Sequence, residues 1–206
     1  DRTVFYPTGG GQPGDSGCLR GPEGDIEIVN AIKGDGPDGV IHVPAEGVAA
    51  PAVGSTVTAE LDWQRRHRLM RMHTCMHLLS AALAYPVTGG QVGDGKGRLD
   101  FDIPEAVLDK EEITAELNRL IAGDHPISSE WISDAELAAQ PELVKTMSVK
   151  PPTGAGQVRL IRIADLDLQP CGGTHVARTG EIGSVEVRKI QKKGRQNRRV
   201  SLAFAD

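Results

Sequence analysis

The sequence predicts an α+β fold in two parts: a small β-barrel or sandwich over residues 1–61, then a two-layer α/β domain over residues 62–206. Three observations predict it. Short alternating stretches between glycine- and proline-rich turns fill the first part. At Asp62 the apolar spacing changes from steps of two to steps of three and four. Beyond that point helices are mixed with antiparallel strand patterns.

In the first part, residues 26–32 (IEIVNAI), 40–43 and 56–62 (TVTAELD) are the strand candidates, with turn-rich residues 34–39 and 44–54 between them. Asp62 is placed to N-cap a helix that runs to about residue 85, where Pro86 follows. Leu69, Met72, Met76, Leu79 and Leu83 form one apolar stripe along it. Residues 98–102 (RLDFD) read as a strand. Asp109 and Glu112 form a capping-box pattern ahead of a second helix carrying Ile113, Leu117, Leu120 and Ile121, with Gly123 at its end. Ser133 and Glu136 repeat the capping pattern on a shorter helix. Residues 158–163 alternate as a strand, and residues 184–190 and 199–204 read as a hairpin.

Composition sets the bounds. Of 206 residues 39% are apolar but only 3% aromatic, so aliphatic packing must supply the core. The 25 glycines and 13 prolines agree with many turns. No apolar run approaches the roughly 18 residues of a bilayer span, and no leader pattern is seen. The first residue is Asp rather than Met, which leaves a preceding segment open. Cys18, Cys75 and Cys171 make an odd count without framework spacing, so a reducing compartment, by default the cytoplasm, is expected. The net charge of −5 conceals an asymmetry. Residues 188–199 (RKIQKKGRQNRR) hold seven basic residues and no acidic one, leaving 16 basic against 28 acidic elsewhere, a net of −12. Such a stretch is either a solvated hairpin or a patch for phosphate oxygens.

His73 and His77 stand four apart on the first helix, which puts their Cβ atoms roughly 5–6 Å apart on one face. That spacing alone fits ordinary core or surface histidines as well as ligands. Cys171 and His175, in CGGTH, repeat it, and Gly172 and Gly173 let the backbone bend tightly. Cys171 alone reads equally as a small buried hydrophobe. Cys75 points off the His73/His77 face, and Cys18 sits among turn residues. The two pairs together favour one zinc ion per chain over a hard cation. Four protein ligands suit a structural tetrahedron, whereas a catalytic or substrate-anchoring zinc needs an exchangeable position; both readings stand. The run Gly9-Gly10-Gly11 is a tight turn or a place of close backbone approach, to a substrate end or to the zinc domain, flanked by polar Gln12 and Asp15.

Three blocks in order, DRTVFYPTGGGQPGDSG, RLMRMHTCMHLLSAAL and CGGTHVARTGEIG, resemble the editing domain shared by alanyl-tRNA synthetases and the AlaX alanyl-tRNA editing proteins. The resemblance spans nearly the whole chain. It implies a zinc-containing editing domain of the threonyl/alanyl-tRNA synthetase second-additional-domain type, with His73, His77, Cys171 and His175 as zinc ligands. It places Gln91 near the editing pocket and Arg198 in it. Met76 stands where many members carry Thr, Asp94 where Ser is common, and Thr8 where an acidic residue is frequent. No synthetase catalytic core is visible in 206 residues.

The implied activity is hydrolysis of the ester of Ser-tRNA(Ala), or of Gly-tRNA(Ala), by an aminoacyl-tRNA deacylase. Gln91 and Thr174 are the candidates for reading the serine hydroxyl, Thr174 reading equally as a turn cap. Gly9, Gly10, Gly11 and Gln12 would flank the substrate end. Arg188, Lys189, Lys192, Lys193, Arg195 and Arg199 would meet tRNA phosphates, with the acceptor helix recognised by shape; neither DNA nor membrane is expected as a partner. Three alternatives stay open: a zinc hydrolase for another ester or amide, a non-catalytic tRNA-binding module with a structural zinc, and a synthetase fragment.

Overall fold

The computed structural model describes residues 2–36, 39–104, 107–147 and 156–205. The chain divides into two compact units, Asp1–Arg68 and Leu69–Asp206.

The first unit is an open antiparallel sheet of β1 (Gly17–Gly21), β2 (Gly24–Lys33), β3 (Val40–Pro44) and β4 (Thr58–Leu61), in the order β3-β2-β1-β4. Of the barrel or sandwich expected, a closed barrel is not formed among the described residues, because β3 and β4 are edges that do not pair with each other. A bulge between Ile28 and Asn30 explains the broken alternation of β2. Ile26 and Ile28 face inward; the extra residue then re-aims the strand so that Ala31 is buried and Ile32 is partly exposed. Phe5, Leu19, Ile26, Ile28 and Ala31 make the small core. β1, whose sequence GCLRG shows no strand alternation, is the strand between β2 and β4.

The second unit holds two antiparallel sheets. One runs β10 (Val185–Lys192), β11 (Asn197–Phe204), β6 (Lys96–Asp102), β5 (Val87–Gly93); the other runs β7 (Ile127–Ser133), β8 (Gln157–Ile163), β9 (Asp167–Pro170). Helix α1 (Trp63–Leu83) starts where expected, with the Arg65 amide donating to Asp62 Oδ1 at 3.0 Å. It ends before Ala84, which adopts a left-handed φ of 51°. Its middle departs from the one-stripe expectation: every residue from Met72 to Ser80 is buried. Packing from more than one side removes the polar face that a surface helix would show. On one side Gly97 of β6 lets α1 lie close, because a Cβ there would fall 2.8 Å from Met76 Sδ and 2.9 Å from Met72 Cγ.

Helix α2 (Lys110–Ala122) begins at Asp109, whose side chain accepts from the Glu112 amide. Its side chains cover the outer edge of β10. Asn118 donates to Val185 O at 2.8 Å and accepts from the Val185 amide at 3.0 Å, while Thr114 Oγ1 accepts from the Val187 amide at 3.0 Å. An otherwise open strand edge is thereby satisfied. The short α3 (Asp134–Ala138) has the full Ser133/Glu136 capping box.

Candidate metal centre

Four residues from two distant stretches meet in the second unit. The helical turn between positions 73 and 77 brings His73 and His77 to one face of α1, roughly 100° round from Met72 and Met76, which face the β6 sheet. Strand β9 delivers Cys171, and the turn through Gly172 and Gly173 returns His175 to the same place. One ligand atom from each of His73, His77, Cys171 and His175 lies within 4.8 Å of all the others.

The spacing suits zinc. Tetrahedral bonds of about 2.3 Å to sulfur and 2.0–2.1 Å to nitrogen put S and N about 3.5 Å apart. Cys171 Sγ lies 3.5 Å from His73 Nε2 and 3.3 Å from His175 Nε2. Three imidazoles and one thiol form a donor set for a borderline-soft ion.

Charge reinforces this. Burial pushes the Cys171 thiol up, but the positive charge of His73 and hydrogen bonds from His175, His73 and His77 hold it well below its ordinary value, so a thiolate is favoured. Burial, followed by the charge on His73, pushes His175 down to about 3, which leaves it neutral. Burial lowers His77, yet the Asp167 hydrogen bond and Cys171 raise it to about 9.

A shell of outer groups orients these candidate ligands. Asp167 Oδ2 lies 3.0 Å from His77 Nδ1 and Thr74 Oγ1 lies 3.1 Å from His175 Nδ1, so in both imidazoles Nδ1 is engaged by an outer group. The Val176 amide also donates to Thr74 Oγ1, at 3.3 Å. Arg159 Nη2 donates to Gly173 O at 2.5 Å, and the Cys171 amide to Arg159 O at 3.0 Å, which pins the 171–175 turn to β8. The Gly173 amide donates to the Cys171 sulfur at 3.4 Å.

Sequence reasoning missed Asp167, Thr74 and Arg159. A signal for the first was present: in DLQPC, Asp167, Gln169 and Cys171 alternate along one face of an extended stretch, and Asp167 and Gln169 are both buried. Cys75 is fully buried in the apolar core, where burial pushes its thiol up to about 12. Cys18 lies in β1 rather than in a turn.

The other candidates scatter. Cross-strand partners share a sheet face. Gly97, which faces α1, pairs with Val92 and Leu202, whereas Gln91 pairs with Arg98, which pairs with Ser201. Gln91 therefore sits on the sheet face turned away from α1; it is exposed and accepts from Arg98 Nε at 3.2 Å. Arg198 pairs with the core residue Phe101 and so belongs to the α1 face, at the start of β11. Thr174 is half-buried inside the ligand-bearing turn. Lys192, Lys193 and Arg195 are exposed around the β10–β11 turn. Arg199 is instead bound to Asp100 through Nε at 2.7 Å and Nη2 at 2.8 Å, and Arg188 pairs with Glu186 at 2.8 Å.

In the first unit, Gly9 and Gln12 exchange backbone hydrogen bonds of 3.0 and 2.9 Å, with Gly10 at φ 58° and Gly11 at φ 82°. This is the two-residue hairpin turn that needs glycine at both central positions. Gln12 and Asp15 do not flank it as accessible polar groups: each is 1% exposed. Asp15 accepts from the Tyr6 amide at 2.5 Å and from Arg66 Nε at 2.8 Å, so a buried carboxylate and a partly buried guanidinium tie the hairpin to the start of α1.

Comparison with known proteins gives the class of protein first. Residues 158–201 match the family model of the threonyl and alanyl tRNA synthetase second additional domain, and residues 1–65 match that of class II (A) tRNA synthetases. The alanyl-tRNA editing protein AlaX-M of Methanosarcina acetivorans is 33% identical over all of this chain and 88% of its own length. AlaX-L of Pyrococcus horikoshii is 33% identical over 95% of this chain and 48% of its own. The alanine–tRNA ligase of Halobacterium salinarum is 34% identical over 93% of this chain and 21% of its own. The chain belongs to the AlaX family of alanyl-tRNA editing proteins. No helix among the described residues is long and apolar enough to cross a membrane.

Proposed function

We propose that this chain is a zinc-dependent aminoacyl-tRNA deacylase that hydrolyses the ester joining serine, or glycine, to the terminal adenosine of tRNA(Ala). The observation that carries the reading is the convergence of His73, His77, Cys171 and His175 within 4.8 Å in a member of the AlaX family. Zinc held there supplies a Lewis acid for polarising an ester carbonyl, lowering the pKa of a water or anchoring an amino group.

The chain's own groups do the rest. Thr174 lies between Gly173 and the ligand His175, so its hydroxyl is assigned to the side chain of the misattached amino acid. Serine brings a hydroxyl that such a site can hydrogen-bond and alanine does not, a difference of about 1–3 kcal/mol per group. Such discrimination is what a small apolar synthetase pocket lacks. Arg198, on the α1 face, is assigned to the terminal nucleotide. The exposed Lys192, Lys193 and Arg195 are assigned to tRNA phosphates, and the Gly9–Gln12 turn to close approach by the acceptor end.

The test is deacylation of Ser-, Gly- and Ala-tRNA(Ala) by purified protein with and without chelator. Release of serine or glycine with sparing of alanine, lost on chelation and restored by zinc, is the expected result. Binding of tRNA without hydrolysis at any enzyme concentration would favour a delivery module with a structural zinc. Gln91→Ala tests the other candidate, whose side chain lies across the sheet from α1: unchanged selectivity there assigns discrimination to Thr174.

A further inference from the structure

The least expected feature near the metal centre is a buried carboxylate. Asp167, 4% exposed, is held by three groups from three places in the chain. Its Oδ2 faces His77 Nδ1 at 3.0 Å and accepts from Gln169 Nε2 at 2.8 Å, while its Oδ1 accepts from Lys145 Nζ at 2.5 Å. Gln169 Nε2 is also 3.1 Å from His77 Nδ1. Both are nitrogen donors when Nδ1 carries a proton, so the proton and the amide hydrogen both go to the carboxylate. A buried anion of this kind is tolerated only when paired and fully hydrogen-bonded, and Lys145 completes the pairing.

The position of Lys145 is itself fixed by backbone. The Val87 amide donates to Lys145 O at 3.0 Å and the Met147 amide to Val87 O at 2.8 Å, a parallel bridge on the β5 edge. Lys145 thus braces Asp167 from the sheet that packs on α1, while Gln169 braces it along β9.

Resting on the zinc reading above, we infer that Asp167 is a positioning residue: its carboxylate takes the Nδ1 proton of His77 as a hydrogen bond, so that Nε2 is the atom presented to the metal. Without it, His77 is free to rotate or to place its proton on Nε2, where a metal cannot bind. Asp167 itself is no ligand, because both of its oxygens are engaged by His77, Gln169 and Lys145. The arrangement is the carboxylate–histidine–metal pattern in which the outer partner fixes tautomer and ring orientation.

Two measurements test this. Zinc affinity by chelator competition is expected to fall by about 10–100-fold in Asp167→Ala. It should fall less in Asp167→Asn, whose amide oxygen still accepts from Nδ1. The cobalt(II)-substituted Asp167→Ala protein should keep its thiolate charge-transfer band and lose the tetrahedral visible pattern of wild type. Independently of any variant, long-range ¹H–¹⁵N correlations of zinc-loaded wild-type protein should show His77 protonated at Nδ1. A proton-free Nδ1, or Asp167→Ala with wild-type zinc affinity and cobalt spectrum, overturns the inference while leaving the deacylase reading intact. Wild-type protein that takes up no zinc overturns both.

Discussion

Replacing Thr74 by valine removes a hydroxyl from the fully buried middle of α1 while keeping the shape of the side chain. In the structure that hydroxyl holds two groups: His175 Nδ1 at 3.1 Å and the Val176 amide at 3.3 Å. Both sit in the turn that carries the candidate ligand His175, and Val176 is 2% exposed. Thr74→Val strands both, and each unsatisfied buried polar group costs about 1–3 kcal/mol. The longer of the two bonds belongs at the low end, which gives a loss of about 2–4 kcal/mol in zinc-free stability. Thr74→Ser keeps the hydroxyl and deletes one methyl, for a loss of about 1 kcal/mol. Urea unfolding of chelated wild type, Thr74→Val and Thr74→Ser measures the three midpoints. Repeating it with zinc reads the second consequence, an affinity decrease of about 10–100-fold in the valine variant from a mis-set His175. Equal midpoints for Thr74→Val and Thr74→Ser, with equal zinc affinity, would refute the assignment of the hydroxyl to the ligand turn.

Thiol labelling should separate the two unit-two cysteines. In chelator-treated protein at pH 7, Cys171 should alkylate first and Cys75 not at all before unfolding, since surrounding charge favours the Cys171 thiolate whereas burial pushes Cys75 up to about 12; zinc should protect Cys171, as peptide mapping would show. Replacing Lys192, Lys193 and Arg195 together with alanine should weaken tRNA binding and flatten its log-log salt dependence by about 2–3, roughly one unit per lost phosphate contact; an unchanged slope removes the hairpin from the interface. Arg199→Ala should act instead through stability, because its guanidinium is committed to Asp100. Asp15→Ala should destabilise the protein by about 1–3 kcal/mol for each group it leaves without an acceptor, the Tyr6 amide and Arg66 Nε, which thermal unfolding would report.

Much of the chain from Asp62 onward was legible because its signals are local. Asp62, Asp109 and Ser133 announce helix starts through their own side chains, and the structure has the corresponding bonds. The strand at residues 158–163 and the hairpin alternate because one face of each meets the core. Strands β1, β5, β7 and β9 were not legible. β5 (VTGGQVG) is rich in glycine and β9 (DLQP) carries polar groups inward, so neither shows the apolar alternation that marks a half-buried strand. Between barrel and sandwich the sequence did not choose, because strand propensity says nothing about whether edges close. The single stripe on α1 failed because the helix is buried on several sides, which includes polar positions such as Thr74 and His77.

By itself the sequence picked out the two candidate pairs, His73/His77 and Cys171/His175, since a four-residue spacing on a helix, or through a glycine turn, brings side chains together whatever the rest of the chain does. It also determined the family, through three blocks kept in order. Only the tertiary structure decided that the pairs meet, and that Asp167 and Thr74 stand behind His77 and His175. It likewise decided that Gln91 faces away from α1 and that Arg199 is already paired. Each of those facts is a distance between residues 90 or more positions apart, or a choice of sheet face set by register, and packing alone fixes either one.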